Sequence, residues 1–122
     1  MKIKIFTIHH AGNSFGRQYG FSEIERMHAA SKYVPSMLGF HTFYNFVIEP
    51  DGLIIHCREF TDEIHVCVVG GGDYRQFSKE SIASLKYLVK MFSPEKIQYH
   101  KDYSPKTCPG KLFPYDEFLS TG

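Results

Sequence analysis

Phe43-Tyr44-Asn45-Phe46-Val47-Ile48-Glu49-Pro50-Asp51-Gly52-Leu53-Ile54-Ile55-His56-Cys57-Arg58 holds two β-rich runs on either side of a turn. Proline presets the first φ of the turn and glycine accepts the positive φ at its end, so residues 43–49 and 53–58 are expected to pair as a hairpin. Beyond it, Glu63-Ile64-His65-Val66-Cys67-Val68-Val69 reads as a third β run, ended by Gly70-Gly71-Gly72. Those glycines permit a close backbone approach or a sharp exit from a sheet. They lack the spacing and the lysine of a phosphate loop, which argues against nucleotide binding. Residues 78–92 carry Ile82, Leu85, Val89 and Phe92 on one stripe with Lys79, Lys86 and Lys90 off it, and Pro94 ends them, so an amphipathic helix is expected. A short last strand follows at 96–100. A closing helix at 113–119 would have Pro114 near its first turn.

Toward the amino end, residues 2–9 are rich in Ile and Phe, and Ile3, Ile5, Phe6 and Ile8 fit a central strand covered on both faces. Ala11-Gly12-Asn13-Ser14 breaks it, and residues 13–21 read as an exposed loop. Ser22-Glu23-Ile24-Glu25 has the pattern of a capping box. The helix it opens would repeat apolar positions at Ile24, Met27 and Ala30 and stop before Pro35. The expected architecture is α/β, a single mixed central sheet of about four or five strands flanked by helices, with the last strand parallel to the first.

The 122 residues are expected to form one domain, 1–122, able to bury roughly two thirds of the unfolded surface. A formal charge of +1 argues against nucleic acid or an anionic membrane as an obligatory partner. No run approaches membrane-spanning length. Met1-Lys2-Ile3-Lys4-Ile5-Phe6 leads into His9-His10 and not into a small-residue cleavage site, so no signal peptide is read. Three cysteines, Cys57, Cys67 and Cys108, exclude a full disulfide framework. A reducing compartment, a cytoplasmic origin and a monomer are expected.

Chemistry concentrates in Tyr99-His100-Lys101-Asp102-Tyr103-Ser104-Pro105-Lys106-Thr107-Cys108-Pro109-Gly110. Pro105 and Pro109 fit neither a sheet ladder nor a helix interior, so this is a rigid loop leaving a strand end. Imidazole and thiolate are ligand types that zinc prefers, and Lys106 suits charge stabilisation beside them. A second histidine pair, His9-His10, closes the first strand. Open α/β sheets place ligands beyond the carboxyl ends of their strands. If the first and last strands are neighbours, His9, His100 and Cys108 can meet around one metal ion with a fourth position open, the pattern of catalytic zinc. His10, His28, His41, His56 and His65 are read as structural or exposed, and Cys57 and Cys67 as small hydrophobes in strands.

Ile8-His9-His10, the Tyr44–Gly52 stretch, Val66-Cys67-Val68-Val69-Gly70-Gly71 and His100…Pro105-Lys106-Thr107-Cys108-Pro109 occur in that order. In order and spacing the chain resembles the zinc-dependent N-acetylmuramoyl-L-alanine amidases of type 2, a family that includes phage amidase-type lysozymes and peptidoglycan recognition proteins. The resemblance implies one catalytic Zn2+ held by His9, with His10 as the alternative, and by His100 and Cys108. It implies Tyr44 and Lys106 as catalytic residues, with Cys67 marking the tyrosine branch of the family. The reaction implied is attack of zinc-activated water on the amide between N-acetylmuramic acid and L-alanine. Lys106 would stabilise the oxyanion, and Tyr44 would hydrogen-bond the water or oxyanion and help the proton to the departing nitrogen. Peptidoglycan is the implied partner, and a phage or prophage endolysin the implied role, reaching the wall only on release. A non-catalytic peptidoglycan-binding module of the same fold is the alternative. The chain departs from the family between hairpin and third strand, where Glu59-Phe60-Thr61-Asp62 replaces a longer excursion.

Overall fold

The computed structural model describes residues 2–11, 20–71, 76–103 and 107–118. Its centre is a five-stranded mixed sheet of β1 (Ile5–Ala11), β2 (Phe46–Ile48), β3 (Ile54–His56), β4 (Glu63–Val69) and β5 (Lys96–Tyr99). The spatial order is β3-β2-β4-β1-β5. β1 runs parallel to β4 and to β5, and β2 runs parallel to β4, while β3 returns antiparallel to β2. Helices α1 (Phe21–Ala30) and α2 (Lys79–Phe92) pack against the sheet.

Side chains alternate across a pleated strand, so each strand feeds two layers. Phe6 and Ile8 of β1, Ile64, Val66 and Val68 of β4, and Phe46 and Ile48 of β2 form one buried cluster with Ile82, Leu85, Leu88 and Val89 of α2. This is the expected stripe with Leu88 added, except that Phe92 is half-buried and packs against the cluster. The opposite face gathers Val47, Cys67, Val69 and Cys57 under Ile24, a smaller cluster in which both cysteines are buried small hydrophobes.

The hairpin turn forms as expected, with Gly52 at φ +92° and its amide donating to the Glu49 carbonyl at 2.9 Å. It also seats α2. The Ser78 hydroxyl donates to the Pro50 carbonyl (2.6 Å) while accepting from the Ser81 amide (3.1 Å), which caps the helix. Ser84 donates to the Gly52 carbonyl at 2.5 Å.

Four sequence expectations are corrected. First, β1 starts and ends later than residues 2–9, because the Asp62 carbonyl takes the Lys4 and Ile5 amides and starts the ladder there. Second, Ser22 and Glu25 do not form a capping box: α1 begins at Phe21 with Gly20 as its cap. The Glu25 carboxylate instead accepts from the amides of His41 and Thr42, the His41 ring and the Thr42 hydroxyl. Glu49 serves the helix start by accepting from the Phe21 amide at 2.6 Å. Third, Ile24 is the buried residue of α1, whereas Met27 is 50% exposed, since the helix touches the sheet through its first turns. Fourth, the closing helix is a 3₁₀ segment, Tyr115–Phe118, holding Phe118 in the core. Most of the loop expected at 13–21, with Gly72 and Leu119, lies outside the described residues.

Burial opposes ionisation of Glu25, but the hydrogen bonds from Thr42 and His41 outweigh it and hold its carboxyl at about 2 against an ordinary 4.5. A depressed carboxyl stabilises the fold above its unfolded value, and that stabilisation is lost as pH falls from 4.5 toward about 2. Glu25→Gln should therefore cost about 1–3 kcal/mol at neutral pH. Urea unfolding of both proteins should show the gap closing as the pH approaches 2.

Candidate metal centre

Because β1 lies between β4 and β5, the carboxyl ends of all three open at one edge of the sheet. Ile8 pairs with Val66 and Tyr99, and His9 is level with Cys67. The chain leaves β5 at Tyr99, so His100 is not a strand residue; it opens a 3₁₀ turn, His100–Asp102. The Asp102 carboxylate accepts from the Tyr99 amide (2.8 Å), and the Lys101 amide donates to the Cys108 carbonyl (2.8 Å). That last bond folds the loop back and returns the cysteine to the strand ends.

Among the described residues, His9, His100 and Cys108 form a group whose ligand atoms all lie within 4.8 Å of one another. Zinc bonds of about 2.0–2.3 Å set tetrahedral ligand atoms about 3.5 Å apart, so the widest gap closes with about an ångström of side-chain movement. Two imidazoles and a thiol are a donor set that fits zinc chemically. His9 is 5% exposed and Cys108 is 8% exposed.

His10 follows His9 on β1 and so faces the other way, toward Phe77, with ring centroids 6.4 Å apart. It still touches the sulfur: its amide donates to Cys108 Sγ at 3.3 Å and its Nδ1 lies 3.1 Å from Sγ. The close donor trio contains His9 and not His10.

Tyr44 precedes β2 and brings its ring to 5.1 Å from that of His9. Its phenol lies beside the Cys67 thiol. Burial first, then the proximity of Cys67 and Cys108, pushes the Tyr44 phenol well above its ordinary value, so it stays protonated and can donate. Lys106 lies outside the described residues.

His65, read from the sequence as structural or exposed, belongs to this cluster. Its Nδ1 lies 3.0 Å from His9 Nε2. The signal was present in the period of two: His65 and Cys67 share a face of β4, and Cys67 pairs with His9. Finding it required the β1–β4 register, which the sequence alone did not fix. Beside His65, a cavity of about 330 Å³ opens along Phe43, Asn45, Arg58, Glu59 and Glu63, where the short 59–62 connection passes.

Burial, and then the neighbouring rings of His65, His100 and His10, hold His9 down at about 3. His65 is lowered too, by burial first. Neutral imidazoles are the form that ligates metal.

The chain matches no protein-family profile and no curated protein by sequence. Solved structures do share its fold. The endolysin N-acetylmuramoyl-L-alanine amidase LysCS from Clostridium intestinale URNW superposes with a TM-score of 0.72 over 96% of this chain and 81% of its own, at 19% identity. Bumblebee PGRP-SA gives 0.74 over 98% and 83%, at 15% identity. Drosophila peptidoglycan recognition protein SD gives 0.72 over 96% and 80%, at 13% identity. The architecture is thus the mixed α/β fold of amidases and peptidoglycan recognition proteins.

Cys57 and Cys67 are both 0% exposed, and burial pushes the Cys57 thiol up to about 12 and the Cys67 thiol well above its ordinary value. A disulfide reagent should therefore leave both unmodified in the native protein and titrate at most one thiol. Cys108→Ser should remove that native signal, and unfolding should expose the remaining two.

Proposed function

We propose that this chain is a zinc-dependent peptidoglycan amidase that hydrolyses the bond between N-acetylmuramic acid and L-alanine. The observation that carries the reading is the His9–His100–Cys108 donor trio at the carboxyl edge of adjacent parallel strands. A solved amidase with the same fold supports it.

His9, His100 and Cys108 would hold the ion. Zinc in that place supplies a Lewis acid and an activated water near neutral pH. The residues around it do the rest. Tyr44, whose ring lies 5.1 Å from that of His9, would donate a hydrogen bond to the oxygen that gains charge as the amide carbon becomes tetrahedral, and would relay a proton from the attacking water toward the leaving nitrogen. Lys106, two positions before Cys108, would bring a positive charge to the same oxygen. The buried faces of His9 and Cys108 exclude bulk water from one side of the centre. The likeness to an endolysin amidase favours a wall-lytic role, reached when the protein is released from the cell that makes it. Among the described residues no helix is long and apolar enough to cross a membrane.

A binding-only reading draws on the equally close superposition of peptidoglycan recognition proteins. Digestion of purified sacculi separates the two. An amidase releases stem peptides with a free L-alanine amine, visible by mass spectrometry, and stops when a chelator is added. A protein that pellets with the wall but releases nothing is a binding module.

Cys108→Ala should lose zinc and activity together. Tyr44→Phe and Lys106→Ala should each keep one zinc while turnover falls by about 10²–10³-fold, the usual effect of removing one oxyanion donor. Elemental analysis beside the digest reads both quantities.

A further inference from the structure

Two ring nitrogens at hydrogen-bond distance share one proton, and which ring owns it decides what the other nitrogen can do. His9 Nε2 and His65 Nδ1 lie 3.0 Å apart. If His9 Nε2 carries the proton and donates, His9 Nδ1 keeps its lone pair and can bind a metal. In the reverse arrangement the proton of neutral His9 sits on Nδ1, and His9 offers the ion no donor. Metal-binding histidines usually give their second N–H to a carboxylate, a carbonyl or water. Here the partner of that nitrogen is another imidazole.

His65 is built to stay in place. Its amide donates to Asn45 Oδ1 at 2.7 Å, and its carbonyl accepts from the Asn45 amide at 2.9 Å. The Asn45 side-chain amide in turn donates to the carbonyls of Arg58 and Glu59, which ties β4 to the bend after the hairpin. The His65 ring rests on Phe43, with centroids 5.2 Å apart. His100 lies on His9 at 4.9 Å.

From this geometry we infer that His65 is a positioning residue for the metal centre: it accepts the Nε2 proton of His9, fixes the orientation of that ring and leaves Nδ1 as the metal donor. His65 has this role only if His9 ligates a metal, and the test below separates the two claims.

Zinc affinity of the full chain is measured by competition with a chromogenic chelator for the wild type, His65→Ala, His65→Gln and His9→Ala. Two-bond 1H–15N spectra of the metal-free protein report the His9 tautomer. Wild type should bind one zinc and carry the His9 proton on Nε2. His65→Ala should still bind one zinc, about 10–100-fold more weakly, and lose the tautomer preference. His65→Gln offers an amide oxygen to the same proton and should recover part of both. A loss caused by a disturbed fold would not be rescued this way.

Wild-type affinity in His65→Ala, or a wild-type His9 protonated on Nδ1, would overturn the role. So would a loss of zinc in His65→Ala as complete as in His9→Ala, since His65 would then be a ligand itself. A wild type that binds no zinc overturns the metal reading and this role together. A wild type that binds it, with His65→Ala unaffected, overturns this role alone.

Discussion

Hydrogen bonding of β1 to β4 on one side and to β5 on the other, parallel in both, is the constraint on which the rest depends. It fixes the face to which each β1 side chain points, because a slip of one residue would exchange the faces. With Phe6 and Ile8 committed to the α2 layer, His9 must face the other way, toward Tyr44 and Cys67. The same ladder brings the end of β5 beside the end of β1, so that a histidine one residue past β5 reaches a histidine near the end of β1. The core and the donor cluster are two outcomes of one register.

The layers on the two faces differ in character. The α2 side is closed by Ile82, Leu85, Leu88 and Val89, and its helix is pinned to the hairpin by serine hydroxyls. The α1 side mixes apolar packing with hydrogen-bonded polar groups: Glu25 ties α1 to residues 41 and 42, and Arg58 donates to the carbonyls of Val34, His41 and Thr42. Such polar anchoring lets imidazoles, a phenol and thiols gather at a partly desolvated edge, provided that each buried group is paired. No buried side-chain nitrogen or oxygen among the described residues lacks a partner.

Much of this was legible in the sequence for physical reasons. Long apolar runs with turn residues between them identified all five strands, and β4 and α2 were bounded to within a residue, because there the hydrophobic pattern and the breakers agree. That His9, His100 and Cys108 could meet was readable because strand ends and a proline-bracketed loop constrain where side chains go, while the choice of His9 over His10 came from the family resemblance. What failed depended on partners distant in sequence. Glu25 looked like a cap because three-residue spacing is a local signal, yet its carboxylate is taken by a loop sixteen and seventeen residues away. Met27 looked buried because periodicity does not tell how much of a helix a small sheet can cover. His65 was passed over because its meaning lies in a neighbouring strand.

The sparse burial of α1 has a kinetic side. Ile24 is its buried residue, against five in α2. Sub-global opening costs least where little apolar surface must be exposed. Deuterium should therefore reach the amides of α1 through excursions that leave the β1–β4–β5 ladder closed. The α1 wall beside Tyr44, which His28 touches, can then open while the ladder that carries His9 stays closed.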